Sequence, residues 1–304
     1  MIFHALFFLQ ATFQSPRVLE SSGVAMSREY RGVLWTHNDS GDGPYLYATD
    51  LTGADRGFLL VSGADAIDWE DMALGVCPVP FHAVSCLYLA DAGDNLGVRP
   101  FVTLYALPEP VPPELPGDTL RSTSAPAILR VSYPDGPQDV EAIFVSPRDT
   151  AAYLVSKGRG GSIKVYRVGS QAWKTVKPGA AGDPVMASVV QTLDIKPSPE
   201  AGRQITGAAI RTDGRVVALR TYNEIYLFNP GVGGRLVPAR ESPTYERSSS
   251  YWACVTWTEV GNGCSTGGPM TSSRKVRTSA SVAQRKSARS ARAATWEGAS
   301  WRVS

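Results

Sequence analysis

The 304-residue sequence has no apolar run long enough to cross a bilayer, because the stretch 2–9 near its start is too short. It has only three His and four Cys, without the paired spacing typical of zinc sites. It also has neither a Gly-x-Ser-x-Gly elbow nor a glycine-rich phosphate loop with Lys. We therefore expect no transmembrane anchor, and the common motifs of zinc proteins, serine hydrolases and nucleotide-binding proteins are missing.

Helical periodicity is also scarce, whereas short β-prone runs bounded by Gly, Asp or Ser recur along the chain. Four units repeat the same order of runs, and their first strands align at Ser22, Glu70, Glu141 and Thr206. The third strand of each unit carries an aromatic residue, as in Leu46-Tyr47. This recurrence predicts an all-β fold, a β-propeller of four-stranded blades over residues 20–242. A β-sandwich is the alternative, but it would not explain the repeated order.

The two ends of the chain depart from this pattern. Residues 1–19 are interpreted as a leader or the remnant of a signal peptide, although no Lys or Arg precedes the apolar stretch. Residues 243–304 are rich in Ser, Arg, Thr and Ala and carry the basic excess behind the net charge of +2. We interpret them as a low-complexity tail, or as translation in a shifted reading frame. The body before the tail is mildly acidic, so no nucleic-acid partner is expected.

Acidic residues cluster where predicted strands begin and end. In a propeller such loops converge on one end of the central channel, and oxygen ligands in short loops suit Ca²⁺. The sequence therefore predicts a calcium site built from some of Asp39, Glu70, Asp71, Asp91, Asp94 and Glu141. The alternative is turn chemistry, since Asp, Asn and Gly are also the residues that tight turns require.

His37 and two cysteines are further candidates. His37 follows the second predicted strand and is a candidate general base, with a structural histidine as the alternative. Cys77 and Cys86 flank a loop and are predicted to form a disulfide, with two buried thiols as the alternative. A disulfide would indicate an oxidising compartment.

Four motifs occur in order: His37-Asn38-Asp39-Ser40-Gly41, Asp68-Trp69-Glu70-Asp71, Asp91-Ala92-Gly93-Asp94-Asn95, and Tyr133-Pro134-Asp135-Gly136 followed by Asp139-Val140-Glu141-Ala142. Over residues 20–230 they resemble a family of uncharacterised bacterial secreted β-propeller proteins. The resemblance implies a six-bladed type, broadly similar to the TolB, phytase and lactonase propellers, and it implies no specific activity. Only about four blades are recognisable, so the six-bladed type would be incomplete here.

Two functions follow as expectations. The first is an exported scaffold, secreted or periplasmic, that binds a small molecule or a protein on its acidic face. The second is a Ca²⁺-dependent hydrolase of the phytase or lactonase kind, in which Glu70, Asp71 and Asp91 lie near the metal and His37 is the base.

Overall fold

A computed structural model describes residues 12–79, 81–114 and 121–239, together with the backbone of two later strands. In the first two blades, antiparallel strands follow one another in sequence order, except that one short strand of the second blade joins the sheet of the first. Blade 1 consists of β1 (Ser21–Met26), β2 (Val33–Asn38), β3 (Tyr45–Asp50) and β4 (Asp55–Leu60). Blade 2 consists of β5 (Trp69–Gly75), β6 (Cys86–Asp91), β7 (Val102–Pro108) and β9 (Ala127–Ser132), and β8 (Arg121–Ser122) lies in the connection between β7 and β9.

The next two blades follow the same plan. Blade 3 consists of β10 (Val140–Val145), β11 (Ala152–Ser156), β12 (Ile163–Val168) and β14 (Ser188–Leu193), with β13 (Val185–Met186) just before the last strand. Blade 4 consists of β15 (Ile205–Ile210), β16 (Val217–Thr221), β17 (Ile225–Pro230) and β18 (Leu236–Pro238). Two short 3-10 turns, Ser170–Trp173 and Val232–Gly234, are the helical elements of the described residues.

The four sheets form a β-propeller, as the repeated strand order predicts. The first strand of each blade is innermost: β5 packs between β1 and β10, and β10 packs against β15. The observed strands begin and end within a few residues of the predicted runs, because most runs of β-branched and aromatic residues end at or next to Gly, Asp, Ser or Pro.

The long connections inside the blades have a structural use that the sequence did not indicate. Strand β8 leaves blade 2 and pairs in parallel with β4, the outer strand of blade 1. Strand β13 leaves blade 3 and pairs in parallel with β9, the outer strand of blade 2. Each insertion thus covers part of an outer strand whose backbone groups would otherwise be open to pairing with another chain.

Buried apolar side chains join the blades in sequence. One cluster lies between blades 1 and 2 and contains Trp35 and Leu89, a second lies between blades 2 and 3 and contains Tyr88 and Ile143, and a third lies between blades 3 and 4 and contains Leu219. Among the described residues no such cluster joins blade 4 to blade 1. A cleft lies there instead, lined by Ser22 and Val24 of β1, residues 206–208 of β15, Arg220 of β16 and Asp71 of β5.

The ends of the chain are described only in part. Phe13 and Val18 pack on the free face of blade 1 against Leu34 and Tyr47. The first part of the predicted leader, 1–11, lies outside the described residues, as does the predicted tail apart from the paired strands β19 (Trp252–Val255) and β20 (Ala280–Gln284). Within the described ranges, no helix has the length and apolar character needed to cross a bilayer.

Candidate functional site at the acidic end of the channel

The innermost strand of every blade carries a β-bulge near its beginning. The pairing register shifts between Ser21 and Val24 in β1, between Trp69 and Asp71 in β5, between Val140 and Ala142 in β10, and between Ile205 and Gly207 in β15. The bulged positions are Ser22, Glu70, Glu141 and Thr206. A bulge bends its strand and re-aims a side chain, so all four blades have the same local geometry at the same end of the channel.

Five carboxyl groups meet at this end, and we call them the acidic mouth: Asp39, Asp68, Glu70, Asp139 and Glu141. They form two groups of three that share Glu70. Ligand oxygens of Asp39, Asp68 and Glu70 all lie within 4.8 Å of one another, and so do those of Glu70, Asp139 and Glu141. We call the first set the outer group and the second set the inner group. Spacings of this size would let one ion contact several carboxylates.

Two cations contact the inner group. The Nζ of Lys157 forms an ion pair with Oε1 of Glu141, and both side chains are buried. The Nε of Arg159 lies 2.6 Å from Oδ2 of Asp139. The nearby Arg99 pairs with Asp91, at 2.9 Å between Nη1 and Oδ1.

Two carboxylate oxygens of the acidic mouth are buried without a hydrogen-bond partner among the described residues. They are Oδ1 of Asp68 and Oε2 of Glu141. The pKa of Asp68 is raised to about 7, first by burial and then by the charges of Asp39, Glu141 and Asp139, against the opposing effect of Arg99. A buried carboxylate oxygen without a partner is costly, so these two atoms mark where a cation would be stabilised.

Three of the six predicted metal ligands lie in the acidic mouth: Asp39, Glu70 and Glu141. The sequence prediction left out Asp68 and Asp139, although both lie in the quoted motifs. A repeated spacing could have indicated them, because each acid stands two residues before the bulged Glu of its blade, as Asp68-x-Glu70 and Asp139-x-Glu141. Whether the mouth holds a metal stays a prediction.

Two of the other three predicted ligands, Asp91 and Asp94, make structural contacts. Oδ1 of Asp91 accepts a hydrogen bond from the backbone N–H of Asp68 at 3.0 Å, besides its ion pair with Arg99. The two oxygens of Asp94 accept from the backbone N–H groups of Val98 and Arg99, both at 2.9 Å. The second pattern is the turn chemistry that was the alternative interpretation.

Asp71 points away from the mouth and joins three inner strands. Its Oδ2 accepts hydrogen bonds from Ile143 N–H of β10 at 2.9 Å and from Ala208 N–H of β15 at 3.0 Å, and its Oδ1 accepts from Met72 N–H at 2.9 Å. Burial raises the pKa of Asp71 to about 7, although these hydrogen bonds favour the charged form. Asp71 therefore holds blades 2, 3 and 4 together inside the ring.

His37 lies in the protein interior and is 1% exposed. Its Nδ1 lies 2.8 Å from the carbonyl oxygen of Asn38, and its ring meets the Trp69 ring edge-on at a centroid distance of 5.4 Å. Such packing suits a structural histidine, and a catalytic role for His37 stays a prediction.

Cys77 and Cys86 form a disulfide with their Cα atoms 4.8 Å apart. Because Gly75 pairs with Cys86 whereas Trp69 pairs with Asp91, the disulfide lies at the end of blade 2 opposite the acidic mouth. It closes the loop between β5 and β6.

Comparison with known proteins shows a likeness only to solved structures. No family model and no curated protein matches the chain. An auxiliary nutrient-binding protein from Bacteroides thetaiotaomicron is 11% identical with a TM-score of 0.41, over 82% of this chain and 51% of that one. A functionally unknown protein from Desulfotomaculum acetoxidans is 11% identical with a TM-score of 0.37, over 72% and 55%.

A chain of the nidogen/laminin complex is 12% identical with a TM-score of 0.39, over 79% of this chain and 69% of that one. The present chain thus spans about half the length of the first two structures. Likeness at this level assigns no function, so the functional argument depends on the geometry of the acidic mouth.

Proposed function

We propose that this propeller is an exported binding scaffold whose acidic mouth binds a cation, with Ca²⁺ as the ion. The observation that carries the proposal is the pair of buried carboxylate oxygens, on Asp68 and Glu141, that have no hydrogen-bond partner among the described residues. They belong to overlapping groups of three ligand residues each. Ca²⁺ takes six to eight oxygen ligands and accepts irregular geometry, which suits carboxylates from three blades better than Mg²⁺ would.

The charge balance favours an added cation. Five carboxyl groups converge, and Lys157 and Arg159 form ion pairs with two of them, Glu141 and Asp139. The raised pKa of Asp68 reflects repulsion from its acidic neighbours as well as burial. A divalent ion would relieve this repulsion, and its binding to the folded state alone would stabilise the fold.

The hydrolase alternative uses the same ion with His37 as general base. A base must come within hydrogen-bond reach of the proton it removes. His37 is almost completely buried and its Nδ1 faces the Asn38 carbonyl oxygen. These contacts favour the binding scaffold over the hydrolase. The bound partner of the scaffold would be a small molecule or a protein that contacts the ion or the loops around it.

Export and a six-bladed parent fold belong to the same proposal. The Cys77–Cys86 disulfide supports an oxidising compartment, secreted or periplasmic. Apolar clusters join blade 1 to blade 2, blade 2 to blade 3 and blade 3 to blade 4. The cleft between β1 and β15 is lined instead by Ser22, Thr206, Arg220 and small residues. This difference supports a parent fold in which further blades lie between blade 4 and blade 1.

Thermal unfolding of the full chain tests cation binding. In millimolar CaCl₂ we expect a melting temperature about 5 °C higher than in EDTA, since a ligand near 100 times its Kd adds about 2.7 kcal/mol. NaCl at matched ionic strength separates a bound ion from general screening. Asp68→Asn should remove most of the shift. Equal melting temperatures in CaCl₂ and EDTA would contradict the proposal.

A substitution at Gly93 gives a second test, one that removes none of the carboxyl groups. A Cβ at Gly93 would overlap Oδ2 of Asp68 and Oε1 of Glu70. Gly93→Ala should therefore displace both carboxylates and reduce the calcium shift. Gly160→Ala is the matched control, because a Cβ there meets nothing within 4 Å. If the two variants respond alike to calcium, the acidic mouth is not the binding site.

A further inference from the structure

The buried carboxylate of Asp91 holds the backbone that leads into the bulge of β5. Asp91 is the last residue of β6 and is 0% exposed. Its Oδ1 accepts a hydrogen bond from the backbone N–H of Asp68 at 3.0 Å, and its Oδ2 accepts one from that of Ile67 at 3.4 Å. Two successive peptide groups before Glu70 thus bind one carboxylate. Asp91 therefore fixes the point at which the Asp68 side chain leaves the backbone.

Arg99 joins Asp91 to the turn that follows β6. Its Nη1 donates to Oδ1 of Asp91 at 2.9 Å and to the carbonyl oxygen of Gly93 at 2.8 Å. The backbone N–H of Arg99 donates to Oδ2 of Asp94 at 2.9 Å, so the backbone of Arg99 is also held. A guanidinium group is planar and its N–H groups point in fixed directions. One side chain therefore sets the position of the turn relative to the end of the strand.

Gly93 is where these contacts reach the carboxylates of the outer group. The backbone N–H groups of Ala92 and Gly93 donate to the carbonyl oxygen of Asp68 at 3.0 Å and 3.1 Å. A Cβ at Gly93 would overlap Oδ2 of Asp68 and Oε1 of Glu70, so both carboxylates lie directly against the glycine backbone. A shift of the turn would therefore move the surface that both carboxylates contact.

A separate atom indicates that the acidic mouth is a cation site. Oε2 of Glu141 is buried without a hydrogen-bond partner among the described residues, and the Glu141 side chain is 1% exposed. Asp91 and Arg99 belong to neither of the two groups of three ligand residues. They would therefore act on a bound cation through the backbone, and not as ligands.

We propose that Asp91 and Arg99 are positioning residues of the acidic mouth, which hold the backbone so that the carboxylates of Asp68 and Glu70 face the bound cation. This inference rests on the proposed function and adds the residues that orient its ligands. Loss of a group that orients metal ligands typically weakens metal binding by about 10–100-fold. We expect this loss although every carboxyl group of the acidic mouth remains in place.

The direction of the effect separates positioning from charge. The positive charge of Arg99 repels a cation, so charge alone predicts tighter calcium binding in Arg99→Met. Positioning predicts weaker calcium binding in the same variant. Arg99→Lys keeps the charge but loses the planar guanidinium, so positioning predicts weaker binding there too, whereas charge alone predicts no change.

Isothermal titration calorimetry of the full chain with CaCl₂ tests the inference. We expect the Kd of Arg99→Met to be about 10–100 times that of the unaltered chain. Arg211→Met is the matched control and should leave the Kd unchanged, because Arg211 pairs with Asp213 beyond the end of β15 that lies away from the mouth. The Kd is a property of the folded chain, so a lower stability alone does not change it.

A double variant tests whether Asp91 and Arg99 act as a unit. Asp91→Asn should raise the Kd on either account, because it removes an acid as well as a positioning contact. If the two residues act together, Asp91→Asn/Arg99→Met should have the Kd of Asp91→Asn alone. A lower Kd in the double variant than in Asp91→Asn would show that Arg99 acts only through its charge.

The outcomes distinguish the two proposals. An unchanged or lower Kd in Arg99→Met would overturn the role of the pair and leave the proposed function standing. Absence of calcium binding in the unaltered chain would overturn the proposed function and this inference with it. If Arg99→Met and Arg99→Lys both fail to fold, the pair supports the whole fold and not the mouth, and the inference is wrong.

Discussion

At the scale of single residues, one repeated backbone irregularity decides which side chains reach the channel end. The bulged position of the innermost strand is Ser22 in blade 1, Glu70 in blade 2, Glu141 in blade 3 and Thr206 in blade 4. Two neighbouring blades carry Glu there, and each also has Asp two residues earlier. The acidic mouth therefore arises because the same β-bulge in each blade presents an acidic side chain in blades 2 and 3 and a hydroxyl side chain in blades 1 and 4.

Asp71 should be required for stability. Its two oxygens accept three backbone N–H groups from β5, β10 and β15, whereas Asn offers one acceptor oxygen and adds an NH₂ donor. Asp71→Asn is expected to reduce the free energy of unfolding by about 1–3 kcal/mol, since buried N–H groups lose partners. Urea unfolding measures this, with the exposed Asp183→Asn as control. Equal stability of the two variants would show that Asp71 does not join the blades.

Asp68 should make stability depend on pH in the absence of calcium. Its pKa is raised from 3.8 to about 7 by folding, so the folded state holds the proton more tightly than the unfolded state between these values. Stability from this group is therefore lost as the pH rises from about 4 to 7, and the penalty is complete above 7. In EDTA, Asp68→Asn should gain stability relative to the unaltered chain between pH 5 and pH 8. A constant difference across that range would refute this.

At the scale of elements, the connections inside the blades stabilise their neighbours. Strands β8 and β13 are each two residues long, yet each pairs with the outer strand of the preceding blade. Two-residue strands carry little periodic signal, so the sequence alone indicated only long loops. Their effect is to shorten the exposed outer edges of blades 1 and 2.

The disulfide between β5 and β6 should add stability by closing a short loop. Cys77 and Cys86 are nine positions apart, and closing a loop of this length stabilises a fold by about 2–3 kcal/mol in the chain-entropy account. The double variant Cys77→Ser/Cys86→Ser should melt at a lower temperature than the oxidised chain. Reductant should lower the melting temperature of the unaltered chain and leave the variant unchanged. A variant as stable as the oxidised chain would show that the loop needs no covalent closure.

At the scale of the whole molecule, the blades depend on one another through their shared apolar interfaces. Ile143 lies in the cluster between blades 2 and 3 and is fully buried. Ile143→Ala should cost about 2–5 kcal/mol and shift one cooperative transition, rather than unfold a single blade. Tryptophan fluorescence and far-UV circular dichroism should give coincident curves, with the exposed Val232→Ala as control. Separate transitions would show that the blades unfold independently.

Much of this fold could be predicted from local sequence. Runs such as Cys86–Asp91 and Ile163–Val168 are β-prone and end at turn residues, so their bounds follow from nearby residues alone. The repeated order of four runs then indicated a propeller. The acidic turns could be assigned to one end of the channel because corresponding loops of a propeller converge there.

Tertiary structure decided which acids meet. Asp91 and Asp94, which the sequence predicts as metal ligands, contact Arg99 and nearby backbone N–H groups. Asp68 and Asp139 were not among the predicted ligands, but the packing of blades 1, 2 and 3 brings them to Glu70. Strand propensity acts between close neighbours along the chain, whereas distances between carboxylates depend on bulges and on how the blades pack. For that reason the sequence by itself determined the blades, and only the assembled ring determined the acidic mouth.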